Sequence, residues 1–169
     1  MPPRAVYGIS IVFSFMAWGM VTARYVWPAL RLLPRARALR PLLVLHGFRF
    51  IGLAFLVPGV VSPDVPIAFA RPAAYGDLLT TVLALLALAL LQSRLGLVVV
   101  WVFNCCETAD LLYAFYQGNR TGLGHTPGHM GAAYFIPTIL VPLLLLTHGL
   151  VFRLLCTRDG AGTGRTRPI

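Results

Sequence analysis

Apolar residues fall into five long runs, separated by short breaks that are rich in polar residues or proline. At about 1.5 Å of rise per residue, each run can form a helix that crosses the hydrocarbon core of a bilayer. The predicted spans are residues 7–27, 41–61, 75–91, 95–116 and 132–155. The pattern therefore predicts an all-α integral membrane helical bundle formed as one unit by residues 1–157, followed by a disordered cytoplasmic tail at 158–169.

The breaks between the runs have distinct compositions. Pro28–Arg40 holds two prolines and four arginines, as expected of a segment at the membrane interface. Ser62–Ala74 holds three prolines and predicts a loop, after which Asp77 would lie in the first turn of the third span and complement the helix dipole. Gln92–Arg94 is a three-residue break, sufficient for a tight connection between antiparallel helices.

Composition and charge narrow the class of protein. The chain is 58% hydrophobic and 11% charged, which is typical of a membrane protein and excludes a soluble domain. All 14 basic residues are arginine, and most flank the apolar runs, so nucleic acid is not an expected partner. Because the chain has no lysine, retinal and pyridoxal Schiff bases are excluded as well.

The arginines also predict the orientation of the bundle. With five spans and an outer amino terminus, ten arginines lie on the inner side and three on the outer side. The inner set is Arg24, Arg31, Arg35, Arg37, Arg40, Arg94, Arg153, Arg158, Arg165 and Arg167. The positive-inside bias therefore predicts a multi-pass protein of a bacterial inner membrane with a cytoplasmic carboxyl terminus.

The fourth span interrupts its apolar run with polar residues. Cys106, Glu107, Asp110, Tyr113 and Gln117 recur at spacings of three and four, which predicts one polar stripe along the helix. A carboxylate at mid-membrane needs a partner, water or a proton. The predicted site comprises Arg49, Asn104, Glu107, Asp110 and Tyr113.

Arg49 is the expected partner of Glu107, because counting residues from the helix ends puts the two at compatible depths. Asp110 lies one turn farther out and has no equivalent cation in the sequence. We therefore expect Asp110 to be protonated or to face a water-filled vestibule that opens outward.

His46 and His148 form a second candidate pair. Each is expected five to seven residues from the inner end of its helix, and each precedes a glycine. Two imidazoles at equal depth on different helices could be the axial ligands of haem b. Hydrogen bonds to Ser, Thr, Glu or the backbone would explain the same residues. His125 and His129 predict no metal site, since Pro127 and Gly128 between them disfavour a helix.

Three classes of function fit this sequence. The first is a protein that binds or passes a proton, ion or small ligand at the buried Arg/Glu/Asp site. The second is a haem-binding or structural subunit of a larger membrane complex. The third is an intramembrane enzyme that uses Glu107 or Asp110 as acid or base on a lipid-like substrate.

The sequence favours the first class, because it reveals no nucleophile–base pair or metal-ligand set beside the acids. The expected partners are the lipid bilayer and either other membrane subunits or further copies of the chain.

Overall fold

The computed structural model describes residues 1–157, and within that range the chain is helical and forms no sheet. Five helices are long and apolar enough to cross a membrane. They are α1 (Pro3–Leu30), α2 (Arg35–Leu56), α3 (Ile67–Leu90), α4 (Gly96–Arg120) and α5 (Ile136–Cys156). The predicted tail at 158–169 lies outside the described residues.

Helix α1 is the peripheral helix of the bundle. Only Thr22 and Leu30 are buried along it, and it packs mainly against α5. Most of its apolar side chains, such as Phe13 and Met20, are exposed. A stretch of π-helix over Thr22–Val26 precedes Pro28, the kind of residue at which a regular helical ladder is interrupted.

Helix α2 changes its winding halfway along its length. Arg35–His46 is α-helical, whereas Gly47–Leu56 is a 3₁₀ helix. With three residues per turn, side chains three positions apart lie above one another. The buried residues of this half are accordingly Arg49, Gly52 and Phe55, and they continue the line that begins at buried His46. The winding of α2 therefore aims Arg49 into the bundle.

Helix α3 begins at Ile67, about two turns before the predicted span, and includes Pro72. Proline cannot donate to the carbonyl four residues earlier, which here is that of Ala68. The Gln117 side-chain amide supplies a donor from α4, with Nε2 3.5 Å from the Ala68 oxygen. Because the helix continues through Pro72, Asp77 lies in its third turn. The expectation that Asp77 lies in the first turn of this helix and complements its dipole is therefore wrong.

Two glycines let α2, α3 and α4 approach closely. A Cβ atom at Gly52 on α2 would overlap the carboxyl group of Asp77, and one at Gly76 on α3 would overlap that of Asp110. Each glycine thus leaves room for an acid on the next helix.

The apolar core is divided into two parts. One cluster, which includes Leu43, Phe103 and Val151, lies toward the arginine-rich end, where α2 and α4 begin. The other, which includes Phe55 and Met130, lies toward the opposite end, called here the loop end. The polar site lies between them, since Arg49 falls between Leu43 and Phe55 along α2.

The loop end consists of residues 57–66 and 121–135, and hydrogen bonds join the two segments. The Ser62 amide donates to the His129 carbonyl at 2.8 Å, and the Ala132 amide donates to the Val60 carbonyl at 3.0 Å. Between these two bonds, Gly131 adopts a φ of 52°, a left-handed conformation that favours glycine.

Candidate functional site

Arg49 lies at the centre of a buried cluster and contacts three carboxylates. Its Nη2 donates to Asp77 Oδ1 and lies 3.2 Å from Asp110 Oδ2, while Nη1 lies 2.8 Å from Glu107 Oε1. The Arg49 side chain is 4% exposed, Glu107 is fully buried, and Asp110 is the most accessible acid at 20%. One fixed positive charge therefore serves three acids on two neighbouring helices.

The structure brings together three of the predicted site residues, Arg49, Glu107 and Asp110. The expectation that Asp110 has no cation is wrong, because Arg49 reaches both Glu107 and Asp110. A guanidinium group presents five N–H donors in a planar fork, so it can serve acids one helical turn apart. The sequence prediction estimated depth by counting residues along straight helices, and so it treated Arg49 as a point charge that could meet one acid.

Asp77 is the site residue that the sequence analysis missed. Its carboxyl group is buried against Arg49 and faces Gly52. The sequence feature that could have indicated Asp77 is the pair Gly52 and Gly76, because each glycine leaves room for an acid on the next helix. Pro72 pointed the other way, because it predicted a loop in a region where the helix has already begun.

The polar stripe predicted on α4 is correct only in part. Of its members, Glu107 and Gln117 are buried and Asp110 is partly buried, but Cys106 and Tyr113 are exposed. Asn104, which was predicted for the site and not for the stripe, is buried as well. At about 100° per residue, Cys106 and Tyr113 lie about 100° and 120° around the helix from Glu107, which puts them outside the inward face. Tyr113 instead accepts a hydrogen bond from Gln117 Nε2, at 2.7 Å.

His46 and His148 lie side by side next to Glu107. Their ring centroids are 4.2 Å apart, and His148 Nε2 is 3.5 Å from Glu107 Oε1. A haem with two axial imidazoles requires the porphyrin to lie between the two rings. These rings face each other directly, so the pair does not fit the predicted haem b site.

Together the two imidazoles and the Glu107 carboxylate form a set of metal-ligating groups. The three residues are buried, and one ligand atom from each lies within 4.8 Å of the others. The expectation that no such set accompanies the acids is wrong. Its members come from α2, α4 and α5, so no short spacing in the sequence reveals it.

A cavity of about 250 Å³ connects the cluster with the loop end. Arg49, Asp77 and Asp110 line its inner part, whereas the exposed residues Arg4 and His125 belong to its outer part. Aromatic side chains line the wall between them: Tyr7, Phe55, Phe69 and Phe115.

Residues 6–156 match a protein family described as a domain of unknown function (DUF8737). The chain belongs to this family. The matched range includes the whole polar cluster and almost the full length of all five helices. Comparison with curated proteins and with solved structures finds no match.

The cluster in this DUF8737 chain has an excess of acid. When all three carboxylates are ionised, they outnumber the guanidinium group by two charges. Such an excess in a buried site must be offset by protons or by a cation. The arrangement can therefore hold protons, coordinate a metal ion or attract a positively charged group through the cavity.

Proposed function

We propose that this protein is a multi-pass inner-membrane protein that binds a small cationic ligand in the cavity between Arg49 and the loop end. The observation that carries the proposal is the pair of acids, Asp77 and Asp110, on the inner wall of that cavity.

The surface of the bundle supports insertion into a membrane. Large apolar side chains are exposed on every long helix, for example Phe13, Phe50, Val82, Leu112 and Ile139. Exposed apolar side chains in this number would be unfavourable in water and are expected where lipid covers them. The seven inner arginines within the described residues all lie toward one end, so we propose that this end faces the cytoplasm.

Under this orientation the cavity faces outward, and a ligand would enter past the exposed residues Arg4 and His125. Asp110 is the acid that such a ligand would meet with the least rearrangement, because its side chain is the most accessible of the three. Aromatic walls favour an organic cation over an inorganic one, since aromatic faces attract ammonium groups.

The proposal is tested with the full-length protein in detergent, treated with a chelator to remove metal ions. The probes are tert-butylammonium chloride and its neutral counterpart of the same shape, tert-butanol. We expect the ammonium probe to raise the melting temperature in a saturable manner, because a ligand that binds only the folded state stabilises it. The alcohol should not do so.

Two variants show whether the cavity acids are responsible. Asp110→Asn should abolish the stabilisation by tert-butylammonium, whereas Asp64→Asn, which changes an exposed loop acid outside the cavity, should retain it. Equal stabilisation by both probes, or full retention in Asp110→Asn, would exclude a cation site at Asp110.

A further inference from the structure

Four buried polar atoms next to Arg49 make no hydrogen bond: His46 Nδ1, His148 Nε2 and both carboxylate oxygens of Glu107. Glu107 Oε1 is paired with Arg49 by charge, at 2.8 Å, whereas Oε2 has no such partner. One candidate ligand atom from each of the three residues lies within 4.8 Å of the others. The three residues are at most 1% exposed. Buried polar groups without partners are rare in native proteins, and three on different helices at one point indicate a missing ligand.

The surrounding hydrogen bonds determine which nitrogen of each imidazole has the free lone pair. The single proton of the Thr147 hydroxyl is within reach of the Leu143 and Leu144 carbonyls, and when it is donated there the Thr147 oxygen accepts from His46 Nε2 at 3.2 Å. His46 Nδ1 is then left without a proton. The hydrogen bond with Thr147 thus leaves His46 Nδ1 with a free lone pair that can bind a cation.

The same arrangement is repeated at His148. The Asn104 amide nitrogen is directed to the His148 carbonyl, which turns Asn104 Oδ1 toward His148 Nδ1 at 2.7 Å. His148 Nδ1 therefore carries the proton, and Nε2 is free. Histidines that ligate metals almost always donate their other N–H to an oxygen acceptor in this way.

We infer that His46, Glu107 and His148 bind a divalent transition-metal ion of the zinc type. Two imidazoles and one carboxylate are a common ligand set for such ions, which they hold at about 2.0–2.2 Å. A divalent ion at Glu107 also reduces the excess negative charge of the acids around Arg49. None of the three ligand residues lines the cavity, so the site lies apart from the cation site proposed at Asp110. The two sites are nevertheless coupled through charge, because a bound metal ion reduces the acid excess that attracts a cation to Asp110.

The first experiment measures metal in the full-length protein purified through a tag without histidine. We expect about one equivalent of a divalent transition metal per chain by elemental analysis. After chelation, titration with Co²⁺ should saturate at about one equivalent and give the visible absorption of a low-coordinate nitrogen–oxygen site. A protein that carries no metal and gives no such spectrum with added Co²⁺ would overturn the inference and leave a hydrogen-bonded His–Glu cluster.

Matched variants locate the metal. His46→Ala, His148→Ala and Glu107→Gln should each reduce the bound metal at least tenfold, while His125→Ala and His129→Ala in the loop should retain it. Retention in the first three variants, or equal loss in the loop variants, would overturn the assignment. If an alanine variant does not fold, the Co²⁺ spectrum of the unmodified protein still decides whether the site exists.

Two residues are proposed to position the ligands without touching the ion. Asn104→Leu and Thr147→Val remove the acceptors of the two imidazole N–H groups. Each should weaken Co²⁺ binding by about 10–100-fold, yet reach the same stoichiometry at saturating metal. Unchanged Co²⁺ affinity in both variants would contradict the hydrogen-bonded orientation of the imidazoles.

Discussion

Arg49 makes the three acids of the cluster compatible with burial. A buried carboxylate loses its hydration, and the loss is recovered only through close opposite charge or hydrogen bonds. Asp77 depends most directly on Arg49, since both side chains are less than a tenth exposed and their contact is hydrogen-bonded. Arg49 therefore contributes more to the stability of the fold than any one of the acids, because two acids still contact Arg49 after the third has been removed.

We predict that Arg49→Gln lowers the free energy of unfolding by about 3–5 kcal/mol, the usual cost of stranding a buried charge. Asp77→Asn alone should cost less. Asp77→Asn added to Arg49→Gln should recover part of the loss, because it removes one of the stranded acids. The measurement is a double-mutant cycle of thermal unfolding in detergent.

The exposed Arg120 provides the control for this cycle. Arg120→Gln should change stability by about 0.5 kcal/mol or less. Strictly additive losses for Arg49→Gln and Asp77→Asn would mean that the two side chains do not interact.

At the scale of the helices, two glycines and one change of winding bring the charges together. The 3₁₀ half of α2 places Arg49 and Gly52 in line with His46, the last residue of the α-helical half, and Gly52 and Gly76 leave room for acids from α3 and α4. These glycines contribute because they have no side chain that would occupy the space of the carboxyl groups. Gly149 on α5 is a suitable contrast, because a Cβ there would meet nothing within 4 Å.

We predict that Gly52→Ala and Gly76→Ala each lower the melting temperature in detergent by several degrees, since the added methyl group displaces a buried carboxyl group from Arg49. Gly149→Ala should leave the melting temperature unchanged or raise it, because alanine is the better helix former. If all three substitutions behave alike, the close approach of α2, α3 and α4 is not needed for stability.

At the scale of the whole molecule, the two ends of the bundle differ in charge and in shape. One end carries most of the arginines, and there Arg35 Nη2 donates to the Thr157 carbonyl at 2.6 Å and Arg153 lies over the Trp27 ring. The other end is formed by the two hydrogen-bonded loops and the outer part of the cavity. Such asymmetry is expected when the two ends face different compartments.

We predict that a reporter fused after Ile169 is cytoplasmic and that one inserted at the exposed Gly128 is outside. The arginine bias is the physical reason, since positively charged flanks are retained on the inner side. The measurement is a pair of reporters that are active on opposite sides of the membrane. Reporters on the same side would show that α5, the helix between the two fusion points, does not cross the membrane.

The number of long helices and the meeting of Arg49 with Glu107 could be predicted from the sequence. Both follow from local rules, namely the length of apolar runs and the cost of burying charge. The meeting of His46 with His148 could also be predicted, from their equal depth, but the loop end and the particular partners of the two imidazoles could not. His46 and Thr147 are 101 positions apart, and Asn104 and His148 are 44 apart, so only the packing of α2, α4 and α5 shows that they meet.

The 3₁₀ winding of α2 also affects how the length of this helix compares with the lengths of α3 and α4. Helix α2 has 22 residues, whereas α3 and α4 have 24 and 25. As an α-helix throughout, α2 would be about 33 Å long, some 3 to 5 Å shorter than its neighbours. Its ten 3₁₀ residues rise about 2.0 Å each and extend it to about 38 Å. The three helices that carry the charged cluster are therefore matched in length, and in a bilayer this match would avoid the hydrophobic mismatch that a short central helix imposes on lipid.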